Sequence, residues 1–425
     1  ADGNTGVGYQ ALTANTIGDR NTALGWSAMA TNVDGDRNVA IGYGAMQTFE
    51  PANTATYNTA VGYVAGNAMT TAINNTFIGG LANALGVPGN QNTAVGSQAM
   101  YNNADVENTG IGYAALNANT SGGYNTAVGS NVMSANTTGD SNVAVGQNAL
   151  DANTTASNNV AIGAAALGAN TTGTNNVMVG NSAGDAITTS NNNTGVGHDV
   201  LGANTSGDTN TAMGSTALNT NTTGSNNVAV GFGALTANTS AADNVSVGTA
   251  SLYVNTTGAS NVAVGSNALQ QNTTAGNNTA VGTNALKNNT TGTLNVAVGK
   301  DALNFNTTGD DCTAVGLDAL YANTTAHDNT AVGSRALDAC TTGATNTSVG
   351  KSSMTTCTTG ASNTVMGASA GFGITTGSNN VAIGHDAMTT VTTGVNNICI
   401  GATSNTQIAG SENNIIIGVG ISGGE

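Results

Sequence analysis

The residues able to do acid–base or metal chemistry are few and scattered. The chain holds three histidines, His198, His327 and His385, and four cysteines, Cys312, Cys340, Cys357 and Cys399. His198 and His385 each precede an aspartate, Asp199 and Asp386, as members of a proton relay would. In the repeat described below they fall roughly 50 Å apart, so one chain cannot bring them together. Asp34-Gly35-Asp36 and Asp310-Asp311 could lend oxygens to calcium. Nonapeptide calcium rolls, however, carry an aspartate in every short repeat, and this chain does not. No cofactor is expected; an isolated calcium at one such turn is left open. Gly6-x-Gly8, Gly110-x-Gly112 and Gly231-x-Gly233 begin like phosphate loops. No third glycine and no helix follow them, so their role is structural. Serine and threonine are abundant, yet no sequence signal places a base beside any of them. The chain reads as a non-enzyme.

Composition points the same way. Charged residues make up 7% of the 425 and aromatic residues 4%, with 60 glycines and 2 prolines. Typical soluble chains carry roughly 25% charged residues. The formal net charge of −16 disfavours phosphate backbones and anionic lipid surfaces, so neither nucleic acid nor membrane insertion is expected. No apolar run approaches the ~20 residues of a membrane span. Four cysteines do not make a disulfide framework. The chain opens in mid-pattern with no signal peptide before it, which suggests a mature form or a fragment.

The elements that must position any function come from an internal repeat. An Asn-Thr/Val-Ala-Val-Gly motif recurs with its glycine at Gly8, Gly25, Gly42, Gly62, Gly79, Gly96 and Gly112, then every 17 residues to Gly418. Three extra residues near Phe49-Glu50-Pro51 and one missing between Gly96 and Gly112 are the only breaks. Numbered from its asparagine, a unit reads N-[TV]-A-V-G-x-x-A-L-x-x-N-T-T-G-x-x. Positions two to four suit a short strand. The glycine at position five implies a positive φ or a close backbone approach. The T-T-G-x-x-N stretch reads as a turn. A 17-residue unit is too short for a helix-pair repeat and lacks the leucine pattern of leucine-rich units. The expected fold is all-β: one array over residues 1–425, a parallel β-solenoid (β-roll) of about 25 coils, roughly 120 Å long.

Position four is apolar in every copy, and position three is Ala, Gly or Ser in 20 of 25. The exceptions at position three, Phe77, Met178, Val365, Cys399 and Ile416, are apolar too. Position eight is Ala, with Val132, Val200, Ser251, Ser353, Ser404 and Ile421 as variants. Position nine is mostly Leu or Met. Neighbouring strand residues point to opposite faces, so two adjacent apolar columns ask for cover on both sides. Lateral association of identical rods, most simply a homotrimer, would supply it; the alternative is that one column sits at a bend.

Position 12 carries most of the Asn-Thr-Thr sequons. In seven of the coils that lack this asparagine it gives way to Met69, Ile187, Cys340, Cys357, Ile374, Val391 or Ile408, all apolar. In four of these coils position nine has shrunk to Gly66, Gly184, Gly371 or Asn405. Volume lost at one position returns at the other, so both must line one core. Asn153, Asn170, Asn204, Asn221, Asn238, Asn255, Asn272, Asn289, Asn306 and Asn323 are therefore expected to form a buried, unglycosylated ladder. Position 10, for example Asp151, is expected to be exposed. Cys340 and Cys357 share position 12 one coil apart and are expected to stay reduced.

One feature rises above the array. Position six is Tyr9, Trp26, Tyr43 and Tyr63 in the first four coils, with Tyr113 and Phe232 as later instances. Such rings could stack on sugar or cover the end of the solenoid, and the end cap is the expected role.

The units Asn125-Thr-Ala-Val-Gly129, Asn142-Val-Ala-Val-Gly146 and Asn159-Val-Ala-Ile-Gly163 resemble the coils in the heads of trimeric autotransporter adhesins. The longer unit, with A-L-x-x-N-T-T-G, is similar to repeats in phage tail fibres and large bacterial surface proteins. The resemblance covers essentially the whole chain, although adhesin-head coils are usually shorter and no membrane anchor or C-terminal chaperone is recognised. It implies a trimeric β-roll on a cell surface or virion, extracellular, with a cell-surface glycan or receptor as partner. The expected function is a structural fibre or adhesin segment that presents a binding end. An ice- or crystal-surface-binding solenoid is the alternative, attractive for its threonine columns. A carbohydrate-active spike would need acidic residues clustered on adjacent coils, and none are evident.

Overall fold

In the computed structural model, the described residues are 1–51, 55–406 and 409–420, together with the backbone of Ser422–Gly423. Ile408 and Ile421, two of the column variants named above, lie outside them. The chain is all-β, with parallel β-solenoid coils at 17-residue spacing. There is no helix among the described residues, and so none long and apolar enough to cross a membrane.

Two compact units are distinguished, Ala1–Asn210 and Thr211–Glu425. In the first, three-residue strands run from Thr5–Val7 to Thr194–Val196, each at positions two to four of its coil. Successive strands within the unit pair in parallel, as Val143, Ala144 and Val145 do with Val160, Ala161 and Ile162. The second unit repeats the scheme from Thr211–Met213 to Ile415–Ile417. There Asn405–Thr406 also pairs with Ser422–Gly423.

The alternation within a strand decides what is core. Position three points inward: Ala127, Ala144, Met178, Ala229 and Val365 are all fully buried. Position eight and position nine complete the interior, as with Ala149 and Leu150. Serine at position three is matched by serine at position eight of the same coil. Ser246 and Ser251 approach to 2.5 Å, and Ser348 and Ser353 to 2.6 Å, so a buried hydroxyl never lacks a partner there. Position four points outward. Ile162, Val196 and Met213 are exposed and Val128 and Val145 half-buried, which leaves an apolar outer column.

Glycine at position five meets both of its expected reasons. Gly163 has φ 136°, and a Cβ on it would lie 2.2 Å from the carbonyl oxygen of Gly180 in the next coil. Less expected are three left-handed residues per coil, at positions seven, nine and seventeen: Asn148 (57°), Leu150 (51°) and Asn158 (62°) in one unit. Asn tolerates this region; Leu pays a steric cost of about 1–2 kcal/mol. The reward is a sharp corner that aims Leu150 into the core.

Candidate functional site: an exposed aromatic stack on an asparagine-laddered core

The core is polar at two corners. At position 12 all ten predicted asparagines, Asn153 through Asn323, are 0% exposed. In the first unit Asn136 donates to Asn119 Oδ1 at 2.9 Å, Asn153 to Asn136 at 2.8 Å and Asn170 to Asn153 at 3.4 Å. In the second, Asn238 donates to Asn221 at 2.7 Å, and the run ends with Asn323 donating to Asn306 at 2.8 Å. Each amide also donates to its own turn, as Asn153 Nδ2 does to the Ala156 carbonyl at 3.1 Å. Asn204 also closes on its turn, accepting from Gly207 N–H and donating to its carbonyl. These sequons are shut away from any glycosylating enzyme.

The volume exchange is visible atom by atom. A Cβ on Gly184 would meet Ile187 Cδ1 at 2.9 Å, and one on Gly66 would meet the Phe77 ring at 2.9 Å. The large residue at position 12 or position three fills the room that position nine gives up. Phe49, beside the insertion, is a further fully buried occupant of position 12 that the sequence reading passed over. Position 10 needs correction: Asp151 is half-buried, and burial pushes its carboxyl above the usual range.

Sequence reasoning missed a second ladder, at position one. Asn142 N–H donates to Asn125 Oδ1 at 2.9 Å, while Asn142 Nδ2 reaches the Ala156 carbonyl at 2.9 Å. Each side chain thus satisfies the backbone of the coil after it and the turn of its own. Position one is asparagine in all copies except Cys312, which is itself buried. That lone exchange was the available signal.

On the outside, the position-six rings form a continuous stack. Ring centroids are 6.1 Å apart for Tyr9–Trp26, 4.6 Å for Trp26–Tyr43 and 5.4 Å for Tyr43–Tyr63, with interplanar angles of 16°, 8° and 17°. Each ring is 41–65% exposed. This geometry does not suit an end cap, because a ring in the fourth coil covers no end. Neither is it the open platform expected for sugar: the inner rings spend their faces on one another and present edges to solvent. Phe232 is exposed in the second unit. A separate pair, Phe305 and Tyr321, meets edge to face at 5.1 Å. They occupy positions 11 and 10, so no column marked them in the sequence.

The titratable candidates stay apart. His198 is exposed. His327 Nδ1 lies 3.6 Å from Asp310 Oδ2, and His385 Nδ1 lies 3.0 Å from Asp386 Oδ2, both at the surface. Asp36 and Asp310 each give an oxygen to a backbone N–H of the preceding coil, at 2.7 and 2.6 Å. Among the described residues no group of three or more His, Cys, Asp or Glu side chains is arranged to hold a metal ion. All four cysteines are free and buried, with Cys312 and Cys399 pushed up to about 11 by burial.

No protein-family model matches the chain, and no curated protein matches it.

Proposed function

We propose that this chain is a segment of an extracellular structural fibre or adhesin, on a cell surface or virion, whose coils associate laterally as a homotrimer and present a surface for attachment. Support comes from the outward columns at positions two and four. Position two is Thr, Val or Ile and position four Val, Ile, Leu or Met in every copy, with no charged residue in either. Scattered exposed apolar side chains need no explanation, but a contiguous apolar column does. A chain of net charge −16 would repel its own copies elsewhere on the surface, so the uncharged column is the place where they can meet.

Placing a charge on that face tests the reading. Val264 points outward and is half-buried, so Val264→Lys leaves the interior untouched. The variant should keep the wild-type circular dichroism spectrum and sediment as a smaller species. An unchanged sedimentation coefficient would count against lateral association through this face.

A second reading rests on the same columns. Thr279, Thr313 and Thr330 stand on position two, and threonine and valine repeated at coil spacing would suit an ice or crystal surface. Thermal hysteresis by the unassociated chain would favour that reading over the fibre.

A further inference from the structure

The aromatic stack stops short, and where it stops it leaves a gap. Consecutive coils are tied at this corner by the position-seven N–H donating to the position-six carbonyl of the coil before. Leu81 donates to Tyr63 at 2.9 Å, Gln98 to Gly80 at 3.0 Å and Ala114 to Ser97 at 3.1 Å. Tyr63, Gly80, Ser97 and Tyr113 therefore occupy one column. Tyr43 covers one face of Tyr63, but the next residue is Gly80, where an added Cβ would meet nothing within 4 Å. Two coils further on stands Tyr113, exposed like Tyr63. At ~4.8 Å per coil the two rings are about 14 Å apart, which leaves room for two stacked six-membered rings.

The geometry points to this Tyr63–Tyr113 notch as a binding site for a neutral glycan, one or two pyranose units seated with a C–H face on tyrosine. The site deepens the attachment reading above and rests on it. Its walls are aromatic, its floor is the bare Gly80 backbone and the exposed Ser97 hydroxyl, and the half-buried Gln98 adds an amide at one side. That combination of an apolar ring face with hydroxyl and amide groups beside it matches a sugar, which is apolar on its C–H faces and polar at its rim. Acidic sugars are excluded by charge. No Lys or Arg occurs between Arg37 and Lys287, so no cation stands near to hold a carboxylate or sulfate. The existing stack has a purpose in this arrangement: Tyr9, Trp26 and Tyr43 brace Tyr63 from behind and fix its ring plane. Planar aromatic ligands would also fit between the walls, but they would leave the Ser97 and Gln98 groups without partners.

Gly80→Tyr is the decisive variant. Gly80 is not in the left-handed region and has open space above it, so a ring there should extend the stack and fill the notch without disturbing the coil. An array of neutral glucose-, galactose- and N-acetylhexosamine-terminated glycans is screened with the full chain, and the best binder is titrated against wild type, Gly80→Tyr and Tyr113→Ala. The expected result is at least a tenfold loss of affinity in both variants at unchanged melting temperature. Should Gly80→Tyr melt early, Tyr113→Ala alone decides. Absence of binding to every neutral glycan, or wild-type affinity in the variants, overturns the site. Solution mass read on the same samples keeps the two ideas distinct: a trimer that binds no glycan defeats only the notch, and a monomer that binds glycan defeats only the fibre.

Discussion

Asn323 and Cys340 occupy the same column one coil apart, and Asn323 Oδ1 is buried with no hydrogen-bond partner. From Asn221 onward each earlier amide oxygen in that run accepts from the next asparagine. The run ends because a thiol, which donates weakly to the Gly343 carbonyl at 3.2 Å, replaces the amide. Asn170 Oδ1 is orphaned in the same way where Ile187 follows it. A ladder of this kind is as costly to interrupt as it is easy to propagate, since a buried unpaired carbonyl costs about 1–3 kcal/mol.

Extending the run by one amide should move the orphaned oxygen rather than remove it. Cys340→Asn provides a donor for Asn323 Oδ1 and keeps the bond to the Gly343 carbonyl, but the new amide oxygen then faces the Cys357 thiol as Asn323 Oδ1 now faces Cys340. Denaturant melts should therefore show a change of less than about 1 kcal/mol, with Leu337 at position nine unchanged so that the volume balance holds. A gain well above about 1 kcal/mol would mean that a thiol serves an amide oxygen in this column, and a comparable loss that the column cannot accept an amide in that coil.

Removing an amide from mid-run should do the reverse. Asn153→Ala deletes a donor to Asn136 and to the Ala156 carbonyl and an acceptor for Asn170. The expected cost is about 2–4 kcal/mol, from two or more buried groups left unpaired. Asp151→Ala, two residues away and half-buried, should change stability by much less. Equal effects from the two variants would remove the ladder from the account of stability.

Acidic residues on the coil wall should give an inverted pH response. Burial first, and then the charge of Asp199, push the Asp185 carboxyl above its ordinary value. A carboxyl raised in the folded state favours folding when protonated. Its contribution is full below the unfolded value near ~3.9 and is lost as pH rises through the raised one. Asp185→Asn should therefore melt higher than wild type at pH 7, and the difference should close as the pH falls below about 4. A difference that stays constant with pH would show that ionisation of Asp185 plays no part.

The thiols should be silent in the folded chain. Cys312 and Cys399 are held up near 11 by burial, and Cys340 is raised by its hydrogen bond with Cys357 and by burial. Ellman's reagent at pH 8 should find no reactive thiol until denaturant is added, and then four. Peptide mapping without reductant should show no Cys340–Cys357 link. Rapid reaction in native conditions would mean that the coils open there far more readily than their hydrogen bonding suggests.

How much could be read beforehand depended on which constraints leave marks in residue identity. The period and the strand were legible because position five tolerates only glycine, each one facing the next coil's carbonyl. Position 12 was legible because its asparagine trades volume with position nine, as Gly184 and Ile187 show. Position one left almost no mark: its asparagine bonds to backbone, nothing else moves to compensate, and only Cys312 breaks the column. Leu150 and its equivalents hid their left-handed φ because a leucine is the last residue expected there. The aromatic column was visible as residue types, yet whether the rings stack or splay is a matter of χ angles, and composition says nothing about those.

Light scattering coupled to size-exclusion chromatography tests the central claim most directly. The outward Val and Ile columns are proposed to be covered by further copies of the chain itself. A species near three times 41.2 kDa is the predicted result. A single species at 41.2 kDa, at concentrations where the coils are fully folded, would contradict it.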